Sequence, residues 1–126
     1  MQPLFLLFSY ASLKESADFK KYPQINSIGI HHYRNQEEGI SPHQDYARDV
    51  NLISILSISG KASFLICKGR TKEKAESLEL LPGSLVLMRA PRNKKENSLR
   101  PFHCIEKVSE ERYSIILRQS LDDFQW

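Results

Sequence analysis

The stretch Val50-Asn51-Leu52-Ile53-Ser54-Ile55-Leu56-Ser57-Ile58-Ser59 alternates with a period of two, with Leu52, Ser54, Leu56 and Ile58 on one parity. Side chains alternate across a strand, so this spacing predicts a strand and excludes an amphipathic helix. Gly60 is expected to turn the chain, with Ala62 to Cys67 running back. Working outward, Ile25 to Tyr33 alternates loosely. Leu78 to Leu81 ends in the turn signal Pro82-Gly83, and Ser84 to Met88 follows. Pro101 to Ile105 and Arg112 to Arg118 complete a set of about seven strands. The best helix is Ser12 to Tyr22, where Ser12 and Glu15 can form a capping box and Pro23 stops the run. The expected fold is mainly β, a β-sandwich or jelly-roll barrel (a double-stranded β-helix) with a short N-terminal helical segment.

Composition fits one globular domain over residues 1–126, with 40% apolar and 26% charged residues. No apolar run approaches the ~20 residues of a membrane span. Leu4 to Phe8 is too short, and no basic leader or cleavage site accompanies it. Cys67 and Cys104 lie outside any C-x-x-C motif and read as reduced, buried thiols of a cytoplasmic monomer. The chain carries +3 overall, yet Lys68–Lys74 carries +3 and Arg89–Arg100 carries +4, which leaves −4 for the rest. Basic charge is therefore confined to two loop-like stretches, 68–74 and 89–100. They read either as solvated loops or as a rim facing phosphates.

The chemistry centres on Ser41-Pro42-His43-Gln44-Asp45. In extended chain an H-x-D pair points its imidazole and carboxylate to the same side, where both can reach one metal ion. His103, near the C-terminus, is the candidate third ligand. Two histidines and one carboxylate on one face of a metal leave open positions, as oxygen-activating non-haem iron requires. On the last strand, Arg112, Ser114, Ile116 and Arg118 share one face. Arginines six residues apart stand about 20 Å apart, and leaning inward they leave a gap of roughly 7 Å, which suits a small dicarboxylate. The alternative is two arginines facing water at the strand ends. His32 and Cys104 alternate away from this face; Tyr46 and Phe102 read first as packing residues.

Taken in order, these pieces resemble the Fe(II)/2-oxoglutarate dioxygenases, and their AlkB-like branch in particular, from about Pro23 to Gln119. Ile30-His31-His32-Tyr33 resembles the family's I-N-x-Y segment. Ile40 to Asp45 resembles the strand and loop bearing two iron ligands, and Val50 to Gly60 the serine-interleaved strand. Leu81 to Met88 resembles L-x-x-G-D-L-L-V-M, and Arg112 to Arg118 resembles R-Y-N-L-T-F-R. The resemblance implies iron on His43, Asp45 and His103. It implies the distal carboxylate of 2-oxoglutarate on Arg112, with Tyr33 and Ser114 beside it, and Arg118 near the chelating carboxylate. It further implies O₂-dependent hydroxylation with release of succinate, and oxidative dealkylation of single-stranded or damaged nucleic-acid bases held by the basic loops.

Departures from the pattern are His31 and Ser114 at positions where asparagine is common, and Ala47 where H-x-D-x-D has its second acid. Asp49 lies two residues beyond. Only 32 residues precede Tyr33, so the expectation is a short substrate lid, none, or a sequence that is a fragment of a longer chain. Two other functions fit the same residues: the same iron chemistry on a protein side chain or small metabolite, and a module that holds a metal or ligand without oxidation.

Overall fold

The computed structural model describes residues 24–36, 38–90 and 100–121. They form six strands: β1 (Ser27–Tyr33), β2 (Ile40–His43), β3 (Asp49–Cys67), β4 (Glu76–Leu80), β5 (Leu85–Ala90) and β6 (Phe102–Ser120). All pairings are antiparallel. The mainly β expectation is met among these residues, which contain no helix. The expected helix at 12–22 lies outside them, as do Phe5, Phe8, Lys94, Lys95 and Trp126.

Two strands of 19 residues organise the molecule. The first part of β3 lies between β5 and the last part of β6, and β1 pairs with that same part of β6. The later part of β3 lies between β4 and the first part of β6, which also pairs β2. The result is two four-stranded halves sharing β3 and β6. Ile53, Met88, Ala90 and Ile116 from one half join Ala62, Phe64, Leu80, Ile105 and Val108 from the other in a single buried cluster. The halves therefore pack face to face, and burial of this cluster is the main stabilising term.

Two sequence expectations are corrected here. Gly60 does not reverse the chain. It takes φ +72 inside one continuous strand, with register shifts on both sides of it. Glycine adopts that conformation without cost and here makes a bulge that bends β3 from one half to the other. A Cβ at Gly60 would stand 2.7 Å from Arg112 Cα, so the close approach of β6 also requires glycine. Likewise, Pro101–Ile105 and Arg112–Arg118 are not separate strands but the two ends of β6. Its bend falls around Lys107 and Glu110, both at positive φ.

Gly39 is a second close approach. A Cβ there would lie 1.8 Å from the Ile105 carbonyl oxygen. Its absence lets β2 lie flat against β6, in a register that sets His43 opposite His103.

Candidate metal centre

The bend in β6 places its two ends in the two halves, and both face the interior. His103 at one end is 4% exposed, and Arg112 and Ser114 toward the other are each 1% exposed. β2 delivers His43 beside His103, with ring centroids 4.4 Å apart. Asp45 follows in the loop after β2. Its Oδ1 lies 3.3 Å from His103 Nε2 and 3.7 Å from His43 Nε2. One ligand atom from each of the three residues falls within 4.8 Å of the other two. The three residues that the sequence suggested as ligands are thus brought together.

Both imidazoles are oriented from behind. His43 Nδ1 is 2.7 Å from the Ser41 carbonyl, and His103 Nδ1 is 3.0 Å from the Pro101 carbonyl. A carbonyl only accepts, so each Nδ1 donates, and each Nε2 is directed to Asp45. This is the second-layer bond that metal-binding histidines usually make. Phe64 stacks on the His103 ring at 5.5 Å and closes its inner side.

Asp45 is held by charge. Arg118 Nε donates to its Oδ2 at 3.2 Å. Burial pushes the Asp45 carboxyl upward, but the hydrogen bond from His103 and the Arg118 guanidinium outweigh it and hold the pKa at about 2. A carboxyl lowered on folding stabilises the fold above its unfolded pKa and loses that contribution as pH falls toward the folded value. With an ordinary value of 3.8, the Asp45 contribution is complete above about pH 4 and is lost toward pH 2. Its size is about 2 kcal/mol. Asp45→Asn, in the presence of a chelator, should therefore show a smaller fall in urea midpoint between pH 5 and pH 2 than the parent protein. Parallel curves would show that Asp45 gains nothing from its neighbours.

Arg118 also lies 3.5 Å from Asp49 Oδ2, and Asp49 accepts from the Ser120 hydroxyl. Asp49, 3% exposed, is therefore a wall anchor for Arg118 rather than a second acid beside the cluster. Arg118 is engaged with two carboxylates. Arg112 differs. Its Nη1 donates to Ser114 Oγ at 3.0 Å and its Nη2 to Ser57 Oγ at 3.1 Å, and its buried Nε has no hydrogen-bond partner among the described residues. The guanidinium lies 5.9 Å from the Tyr33 ring centroid. Among the described residues no carboxylate pairs with Arg112, and burial lowers its pKa.

β1 lines the same interior. Register sets His31 opposite Ser114 and Tyr33 opposite Arg112. Burial lowers the His31 pKa, with Arg118 acting the same way and Asp45 opposing. His31 is therefore within electrostatic reach of both ends of the site. His32 points outward, as expected, bonding Glu111 at 2.7 Å and stacking on Tyr113. Cys104 is fully buried, with Cys67 Sγ 3.9 Å away. Burial and that neighbour raise its pKa to about 11, which keeps the thiol neutral.

Two contributors were missed by sequence reasoning. Ser57 is one; its signal was only a small polar residue within an apolar strand. Arg100 is the other. It was grouped with a basic loop, yet it is 4% exposed and donates to the Tyr46 and Ala47 carbonyls at 3.0 and 3.2 Å. Gln44 in turn donates to the Arg100 carbonyl at 2.9 Å. Arg100 thus braces the loop that carries Asp45 and is unavailable to a phosphate. In the other basic segment, Lys72 pairs with Glu106 at 2.7 Å.

No family model and no curated protein matches the chain. Among solved structures, it is similar to Drosophila melanogaster CENP-C, in a structure described as bound to CAL1. The identity is 13% and the TM-score 0.51, covering 73% of this chain and 64% of that one. It is also similar to WlaRA, a TDP-fucose-3,4-ketoisomerase from Campylobacter jejuni, with 16% identity and TM-score 0.46, covering 79% of this chain and 64% of that one. The chain thus spans 64% of the length of each of these structures. The likeness to CENP-C is one of fold alone. Among the described residues no helix is long and apolar enough to cross a membrane.

Proposed function

We propose that this protein is a jelly-roll dioxygenase that uses Fe(II), 2-oxoglutarate and O₂. The observation that carries the reading is Arg112: a buried guanidinium that, among the described residues, has an unpartnered Nε and no carboxylate beside it. An uncompensated buried cation is costly, and a ligand carboxylate is the partner that would relieve it. The His43–Asp45–His103 set supplies the matching second element, since two imidazoles and a carboxylate suit iron and leave sites free.

In this reading His43, Asp45 and His103 hold the metal. Arg112 receives the distal carboxylate of 2-oxoglutarate, with Tyr33 and Ser114 as hydrogen-bonding neighbours, and Ser57 keeps the guanidinium in place. Arg118 holds the Asp45 carboxylate in its ionised form and orients it. Phe64 and the core beneath it keep water from the inner side of His103. The bound iron and 2-oxoglutarate, with O₂, supply the power to hydroxylate an unactivated C–H bond.

The first substrate reading is an alkylated nucleic-acid base, approached over the exposed basic segment 68–74. A second is a protein side chain or small metabolite. The burial of Arg100 and the Lys72–Glu106 pair favour it, because both remove cations from the phosphate-facing rim. The test is succinate formation with Fe(II), ascorbate and 2-oxoglutarate, with and without methylated single-stranded oligonucleotide. Succinate release that disappears in His43→Ala supports the dioxygenase, and stimulation by the oligonucleotide supports the first substrate. No succinate from folded, iron-loaded protein overturns the dioxygenase.

A further inference from the structure

A cleft of about 570 Å³ opens between the edges of β4 and β5. This volume is within the range of small-molecule sites. Its floor is Phe64, Leu80 and Met88, and Leu78 and Val86 form its walls. The cleft adjoins the candidate centre, with Phe64 as the wall between them. Met88, Arg89 and Pro101 line both it and a small void that reaches Asp45 and His103. Phe64, on its floor, is the ring stacked on His103.

The cleft also has a polar end, and strand register shows where. Glu76 is opposite Ile66, Ile66 is opposite His103, and His103 is opposite His43. The four residues form one row across four strands, so Glu76 stands at the metal end of the cleft, about 10 Å from the His103 backbone at ordinary strand spacing. Leu78 and Leu80 continue on the same parity away from that end. Among the described residues Glu76 enters no ion pair. Glu79, also on the cleft rim, belongs to the opposite parity of β4.

We infer that this cleft binds a small amine with an apolar body, laying the body along Phe64, Leu78 and Met88 and its ammonium against Glu76. The inference rests on the dioxygenase reading for its meaning as a substrate site, but the binding it requires does not.

The chain has two methionines, Met1 and Met88, so methyl-labelled methionine gives one resonance from the cleft floor, assigned with Met88→Leu. The probe is N-methyloctylamine, titrated into zinc-loaded protein, which cannot turn over. A saturable shift of the Met88 methyl is expected. Octanol, octanoate and the Glu76→Gln variant should each bind at least about threefold more weakly, the effect of one exposed charge contact. Glu79→Gln should bind as the parent does. Absence of a saturable shift, equal binding of octanoate, or equal loss in Glu79→Gln and Glu76→Gln would overturn the assignment. Amine binding with this pattern, in a protein that forms no succinate, would uphold the cleft and overturn only the dioxygenase.

Discussion

Arg112→Met should leave the protein folded and at least as stable as before, while raising the concentration of 2-oxoglutarate needed for turnover by two to three orders of magnitude. Most buried arginines behave otherwise, because removing one strands a carboxylate partner. Among the described residues Arg112 has none: its bonds are to the hydroxyls of Ser57 and Ser114, and its Nε has no partner there. Methionine has similar length, fills irregular space and carries no desolvation cost. The Ser57 and Ser114 hydroxyls lose a donor, but no charge is left stranded. A gain of about 1–2 kcal/mol, read as a rise of a few degrees in Tm, is expected from exchanging an uncompensated buried charge for an apolar side chain. The loss in binding follows from removing a charge-assisted fork, worth about 3–4 kcal/mol to a carboxylate in a dry site. Thermal unfolding and succinate assays across 2-oxoglutarate concentrations check both halves. A drop in Tm with an unchanged 2-oxoglutarate requirement would mean that the guanidinium serves the core and not an anion.

Gly39→Ala is the second large effect. The added methyl would stand 1.8 Å from the Ile105 carbonyl oxygen, and the obstacle is backbone, which cannot rotate aside. β2 must move away from β6, with loss of the pairing that sets His43 beside His103. The expected cost is about 3 kcal/mol or more, a large share of a domain's usual stability. Because β2 is short and lies at an edge, the other strands should persist. The variant should therefore retain β-sheet circular dichroism while its affinity for Fe(II) falls about a hundredfold. Full retention of iron binding would show that His43 does not depend on this contact.

Much of the site was legible because its residues obey alternation. H-x-D and the R-x5-R face follow directly from the period of two, and His103 was the remaining histidine at a plausible distance. What alternation cannot reveal is where a long strand bends. Gly60 is an ordinary turn signal, and only the approach of Arg112 to within 2.7 Å of its missing side chain shows a bulge inside one strand. Arg100 was illegible for a different reason. Its neighbours in sequence are polar and charged, whereas its partners are carbonyls more than fifty residues earlier. Ser57 gave only a weak sign, since a serine in an apolar strand is common, and its role depends on an arginine 55 residues away.

The place of β6 in the fold has a consequence for biosynthesis. β1 and β2 are made before β6, yet among the described strands each pairs with β6. β6 also contributes His103, Arg112 and Arg118. β1 and β2 must therefore wait for these pairings until β6 has been made. Before β6 is made, His43 and Asp45 are present without His103, Arg112 and Arg118. Folding should be slow and close in one late, cooperative step, as topologies dominated by distant pairings tend to do. For this protein the interval between β2 and β6 is when a chaperone matters most.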